Sequence, residues 1–512
     1  MVFHLSSLCL KSKSLLLVSL LALSAVMLVC VPSVRAETEI DTFPYMITAS
    51  GEYYLGAAYA SATSGTQALI TIDADNVVLD GRNWPITWND VDQIVIYVHS
   101  ANNVEIKNMN IINAAVQGSG GGDWRAIQIR AMIPALSGIT IRDSYFSGGG
   151  YTTIVDYGVN TSVINCTIEN GYNGYRNGAN GVHEVSNAVI RDCAFNDMHG
   201  DVFLWDSGAA YAPNVILDNV NVTNNDDFVT PVGFVIPNNA TVTNCNVFGG
   251  VMGFSFATDA GQTSVLRSSN VYGSLELGAL EFCSTFGGTA IIDNCFLQNL
   301  GTSAVSSLLR YDGSLGSSAI TLVNNTLEGA NYFSMTVLVG SSEVGTQTMY
   351  NNFVNFSALG VLPSPTVDLL FNDSVCGNFW AHPDGTGWSQ VNADMDMDGI
   401  IDVPYVIGIT TSGNYTDYLP LSVYPFGAQP PTPPTPTPTP TPPPTVPPTS
   451  PPGSGGGGGG WLPSPSPTSP AGSAPTSPPT WLGVYGSTWL VILLVVLLLV
   501  VVCAVALWSS RR

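Results

Sequence analysis

Basic side chains are nearly absent from this chain. Its 512 residues hold 14 Lys and Arg against 37 Asp and Glu. Outside the two apolar ends only Lys107 and eight Arg remain (82, 125, 130, 142, 176, 191, 267 and 310). Nine cations against 37 anions leave that stretch at −28. Nucleic acid is thereby excluded as a partner, because no basic footprint exists to neutralise phosphates. An acidic surface suits solubility and divalent cations instead. Histidine is scarce and scattered, five in all. With no Cys-x-x-Cys pair and no Met/His run, zinc and copper sites find no support. Also missing outside the ends is any helical period held for three turns, and 52 Gly argue against long helices.

What is present is one phrase repeated about ten times: apolar, any residue, Asn or Asp, a small residue, any residue, apolar. Its polar positions are Asn108, Asp143, Asn165, Asp192, Asn219, Asn244, Ser268, Asn294, Asn324 and Asn351, spaced 22 to 35 residues apart. A period of that size marks a solenoid whose coils bury their core only against neighbours. Each repeat is a short, alternating, β-branched run between Gly, Asn, Asp or Ser. Three strands and three turns fit about 25 residues, which predicts an all-β, right-handed parallel β-helix with coils about 4.8 Å apart. The Asn/Asp column is expected to hydrogen-bond from coil to coil. The next column holds Cys166, Cys193, Val220, Cys245, Ser269 and Cys295, small enough for a narrow interior, and its thiols are expected to be buried and free.

Two stretches carry a resemblance. Ile47-Thr-Ala-Ser-Gly-Glu-Tyr-Tyr-Leu55 with Ile70-Thr-Ile-Asp-Ala-Asp-Asn-Val-Val-Leu-Asp-Gly81 resembles the opening coil of archaeal surface β-helix proteins. Cys376-Gly-Asn-Phe-Trp380, the Asp394–Tyr405 stretch and Asn414-Tyr-Thr-Asp-Tyr-Leu-Pro420 are similar to the closing module of the NosD-like β-helix family. The resemblance spans roughly residues 40 to 425 and implies the fold. The family's link to copper finds no ligands here.

The ends suggest placement. Residues 1–36, with Lys11, Lys13, an apolar run and Val34-Arg-Ala36, read as a secretory signal peptide. Residues 489–508 form an uncharged run long enough to span a bilayer, with Arg511 and Arg512 inside by the positive-inside rule. The expected order is therefore signal 1–36, cap and first coils 37–100, repeats 101–375, closing module 376–428, a disordered Pro/Thr/Ser/Gly stalk 429–488, a membrane helix 489–508 and a cytoplasmic tail 509–512. The expected localisation is the cell membrane, with the ectodomain outside. Envelope glycans or surface-layer proteins would be its partners.

Asp394-x-Asp396-x-Asp398-Gly399 is the strongest site candidate. Alternating carboxylates with Gly at the sixth position can wrap one Ca²⁺, helped by the Ile400 carbonyl and Asp402. The twelfth position is Tyr405, so this departs from a full EF-hand loop. Its role would be structural. Seven residues past successive repeat positions stand Tyr172, His199 and Asp226, with Asp201 and Asp227 nearby. On stacked coils they would share a stripe usable by a lyase or hydrolase. Turn Asp and Asn are commonplace, however, so binding or scaffolding is favoured over catalysis. Nine aromatic residues between Trp84 and Tyr211 could bind sugars or pack into turns. Eight Asn-x-Ser/Thr sequons occur. Asn239, Asn355, Asn372 and Asn414 are the expected glycosylation sites, and Asn165 and Asn324 are expected to be too buried.

Overall fold

The computed structural model describes residues 37–60, 68–88, 94–113, 125–130, 136–148, 152–177, 187–205, 214–223, 232–273, 278–283, 286–299, 301, 307–312, 318–329, 335–338, 345–356, 367–410 and 413–424. They build a right-handed-type parallel β-solenoid. A first sheet of 14 strands runs from Glu37–Ile40 to Val367–Leu370, and a second of 13 from Tyr59–Ala60 to Phe379–Ala381. The third side is a seven-stranded sheet, Tyr45–Ile47 to Phe203–Trp205, followed by a five-stranded one from Val232–Ile236 to Met335–Leu338. Fourteen strands exceed the ten repeats of the phrase, because coils before Val104 and after Phe353 stack without carrying it in full.

The first apolar residue of the phrase points inward. Leu79, Ile106, Ile141, Val163, Ile190 and Leu217 lie in register, each buried. Each such side chain contributes about 1.5–3 kcal/mol by leaving water. Phe203, Phe234 and Phe254 continue the core as a ring stack, at 5.1 and 5.0 Å between centroids.

The Asn/Asp position of the phrase is the turn between the first and second sheets. All ten residues there have left-handed backbones, φ from +49° at Ser268 to +58° at Asn324. Asn and Asp tolerate that region better than other side chains do. They also form the expected ladder: Asn165 donates to Asp143 at 2.8 Å, Asn219 to Asp192 at 2.7 Å, and Asn351 to Asn324 at 2.6 Å. The ladder runs along the outside, however. Asn165 is exposed and Asn324 half-buried, so burial does not shield them.

The column beside it differs from the expectation of mere small filling. Its thiols, hydroxyls and Asn352 donate to a carbonyl two residues back, as Cys166 does to Ile164, Cys245 to Thr243, Ser269 to Arg267 and Asn352 to Tyr350. Several also accept a backbone N–H from the preceding coil: Ser269 from Cys245 at 3.1 Å, Asn325 from Cys295 at 2.9 Å, Asn352 from Asn325 at 2.8 Å. The column therefore satisfies buried peptide groups that the turns leave unpaired. Burial pushes the Cys245 and Cys295 thiols up to about 12, so they stay protonated donors. All six cysteines of this region are free.

Candidate functional sites

The column ends in the closing module. Asn378 donates its amide to Phe371 and Met349, and its backbone N–H to Asp417 at 2.8 Å. Asp417 is fully buried and also accepts from Trp380 Nε1 at 2.8 Å and the Leu419 N–H at 3.1 Å. Desolvation raises its carboxyl to about 6 against those hydrogen bonds. A short helix, Trp388–Val391, and the antiparallel hairpin Tyr405–Thr410 with Gly413–Asp417 complete the module.

The acidic loop stands on this module, tied by the bridge of Ile400 to Leu421 and by Ile401 N–H to Pro420 at 2.7 Å. Asp394, Asp396 and Asp398 each offer an oxygen within 4.8 Å of the others. The loop's own amides preset it. Gly399 N–H and Ser422 Oγ donate to Asp394 at 2.9 and 2.7 Å, Ile400 N–H to Asp398 at 2.8 Å, and Met395 N–H to Asp402 at 2.8 Å. Gly399, at φ +93°, supplies the sharp turn. The Ser422 hydroxyl, chiefly, holds Asp394 below its ordinary carboxyl pKa. For Asp396 the Asp398 N–H pulls down, but desolvation and the charges of Asp398 and Asp402 prevail, and its pKa is raised. Converging oxygen donors that repel one another fit a hard divalent cation.

The second candidate lies at the turn into the third sheet. His199 N–H bonds to the Gly171 carbonyl at 3.0 Å and Gly200 N–H to the Tyr172 carbonyl at 2.6 Å. Tyr172 and His199 thus sit on adjacent coils, with Asp201 one residue beyond Gly200. Tyr172 is exposed, while His199 and Asp201 are half-buried. Asp226 and Asp227 lie outside the described residues. Of the aromatic group, Trp88, Tyr157 and Tyr175 are buried in packing. Trp124, Tyr151 and Tyr211 lie outside the described residues. Asn239 belongs to a turn column, its amide donating to Gln262 at 2.6 Å. Asn355 and Asn372 are half-buried on the surface.

Three features escaped sequence reading. One is a second ladder at the turn into the first sheet: Asn76, Asn103, Asn160, Asn187, Asn214 and Asn239, with Gly138 and Gly261 in the same role, all at positive φ. Asn187 donates to Asn160 at 2.9 Å and Asn214 to Asn187 at 3.1 Å. Most stand five residues before the Asn/Asp position of the phrase, a spacing that was there to be read. Another is the pairing of cations along the first sheet, where Lys107 meets Asp80 (3.6 Å), Arg191 meets Asp218 (3.1 Å) and Arg267 meets Asp293 (2.9 Å). Arg142 bridges Glu105 and Asp143. The last is a polar row on the third sheet, Asp73, His99 and Arg130, beside Tyr97. Each donates its N–H to the preceding coil, to Ile47, Ile72 and Val98 respectively.

Among the described residues no helix is long and apolar enough to cross a membrane, and 489–508 lie outside them. No family model matches the chain, and no curated protein matches it in sequence. Among solved structures it is similar to the catalytic domain of a GH87 α-1,3-glucanase, at 14% identity and TM-score 0.44, covering 67% of this chain and 65% of that one. It is also similar to the A-module of the Azotobacter vinelandii mannuronan C-5 epimerase AlgE6, at 12% identity, TM-score 0.40, and 66% and 91% coverage. A third is the tailspike of E. coli bacteriophage HK620, at 10% identity, TM-score 0.33, and 63% and 69% coverage. The chain spans just under two thirds of the glucanase domain. Likeness at this level transfers no activity.

Proposed function

We propose that this is a membrane-anchored cell-surface β-helix protein of NosD-like, archaeal type, with a structural, adhesive or glycan-binding role. Residues 1–36 would direct export. The stalk and the 489–508 helix would hold the solenoid outside the cell, facing envelope glycans or surface-layer proteins, with the C-terminus cytoplasmic. The observation that carries this reading is how the outward polar side chains are spent. Carboxylates, amides and cations pair from one coil to the next along two turn ladders and the first sheet. Such pairing stiffens a surface for presentation and leaves few groups for chemistry.

Ca²⁺ would be held by Asp394, Asp396, Asp398, the Ile400 carbonyl and Asp402, locking the module that covers the last coil. Adding Ca²⁺ to the full-length protein is then expected to raise its Tm, and Asp396→Asn/Asp398→Asn to remove that rise. An unchanged Tm in both proteins would discard the calcium role. Asn239, Asn355, Asn372 and Asn414 remain the proposed glycan acceptors, checked by glycopeptide mapping.

A second reading, a polysaccharide lyase or hydrolase using Tyr172, His199, Asp201, Asp226 and Asp227, draws on the adjacency of Tyr172 and His199. The deciding experiment incubates the protein with uronate-rich and neutral polysaccharides, with and without Ca²⁺, and follows products by mass spectrometry. Binding without turnover supports the surface role. Products that vanish in Asp201→Asn and Asp226→Asn would replace it with the enzyme.

A further inference from the structure

We propose that the flank of the third sheet around Tyr97, His99 and Arg130 binds an acidic polysaccharide, with the Arg130 guanidinium taking its carboxylate or sulfate groups. This rests on the surface-glycan reading above and names the class of ligand.

The flank is defined by strand alternation. Ile72, Val98 and Ile129 are fully buried; Thr71, Asp73, Tyr97, His99 and Arg130 beside them reach the surface, whereas Gln128 is buried. Thr71, Tyr97 and Gln128 are in register across three coils. Asp73, His99 and Arg130 form the parallel row two residues on. Coils about 4.8 Å apart make the row from Asp73 to Arg130 roughly 10 Å long, and a two-residue step of about 6.6 Å widens it to about 7 Å where Thr71 and Tyr97 stand beside it, the size of one or two sugar rings. It is far too small for a protein interface, which needs about 800 Å² per partner.

Arg130 is what sets the patch apart. In a stretch with nine cations against 37 anions, Lys107, Arg82, Arg142, Arg191, Arg267 and Arg310 each have a carboxylate partner. Arg125 and Arg176 are engaged as well. Of the Lys and Arg side chains among the described residues, Arg130 is exposed with no side-chain ion pair, hydrogen bond or ring contact, and the others are all engaged. Asp73, two coils away and roughly 10 Å by the coil spacing, is instead 3.5 Å from His99. The guanidinium fork is therefore left to an outside anion, and its planar geometry matches a carboxylate or sulfate. The half-exposed Tyr97 ring, 5.3 Å from the His99 ring, offers an apolar face for a sugar, with His99 and Asp73 beside it for hydroxyls. One or two acidic sugars of the polymer fill this patch, and the negative charge around it opposes any longer anionic contact.

The test uses the full-length protein in detergent, titrated with oligogalacturonate, dextran sulfate and neutral dextran. The expected result is at least tenfold tighter binding to one or both acidic polymers than to dextran, weakening as salt rises. Arg130→Gln should lose at least tenfold, and Arg130→Lys should lose less. Arg191→Gln, on the first sheet, should bind as the parent does. Preference for oligogalacturonate would name uronates, and preference for dextran sulfate would name sulfated sugars. Unchanged acidic binding in a folded Arg130→Gln protein, or equal binding to dextran, overturns the inference while the glycan reading stands. Binding to no glycan of either charge would remove both.

Discussion

The two ends of the inner column do one task with different chemistry. From Ser144 to Cys295 it uses thiols and hydroxyls, with Val220 as an apolar interruption. From Asn325 to Asn378 it uses amides, and Asp417 ends it. Mid-stack, coils on both sides hold the backbone, and a weak thiol bond or even Val220 suffices. Toward the closing module there are fewer coils beyond to hold the chain. There each amide joins three or more groups: Asn352 donates to Leu322, Tyr350 and Asn378 and accepts from Asn325. Demand for polar satisfaction thus rises toward the end of the solenoid.

The largest expected effect comes from breaking the amide end. Asn352→Leu would take a partner from the Asn325 N–H, the buried Leu322 carbonyl and the part-buried Tyr350 carbonyl, at about 1–3 kcal/mol each. A loss of roughly 4 kcal/mol is expected, read as a lower denaturation midpoint. Next comes pH. Asp417 and the fully buried Asp156, which accepts from Tyr175 at 2.5 Å, are both raised by desolvation to about 6. A carboxyl whose folded pKa exceeds its unfolded value favours the fold when protonated. Stability is therefore highest near pH 4 and falls as pH climbs to about 6, by about 2–3 kcal/mol per group. Asp143 and Asp218, lowered chiefly by the Asn165 and Asn244 amides, act in the opposite sense, but only below pH 4. Asp417→Asn is expected to flatten about half of the fall in Tm between pH 4 and 7. An unaltered slope would detach Asp417 from it. The thiol end should be milder. Cys245→Ala leaves the Val220 N–H short of an acceptor and the Thr243 carbonyl short of a weak donor, and is expected to cost about 1–2 kcal/mol, with Cys245→Ser under 1. A Cys245→Ala cost equal to that of Asn352→Leu would erase the contrast between the two ends.

These effects also mark what the sequence could say. The parallel β-solenoid was legible because its demand is periodic: an inward apolar residue such as Ile190, then Asp192, recurring every 22 to 35 residues. The loop at Asp394 was legible because its donors are consecutive. The role of Cys193 was not, because its size suits an apolar interior and its hydrogen bond to Val163 depends on coils brought together only by folding. Asp417 is isolated in sequence, and its partners Trp380 and Asn378 lie 37 and 39 residues away. Arg130 was one cation in a list until the pairing of the others left it alone.

The smallest expected effect separates two demands that the outer column combines. Asn219 holds φ +55° and also donates to Asp192. Asn219→Gly keeps the backbone cheap and removes only a solvent-exposed hydrogen bond, so it should cost about 0.5 kcal/mol. Asn219→Ala removes the same bond and adds left-handed strain of about 1–2 kcal/mol. Gly138 and Gly261 already fill the equivalent place in the second ladder, at φ +70° and +79°, which indicates that conformation is the stricter requirement. If Gly and Ala proved equally costly, the ladder bond would outrank the turn. Asn would then recur in this column for its amide rather than for its backbone.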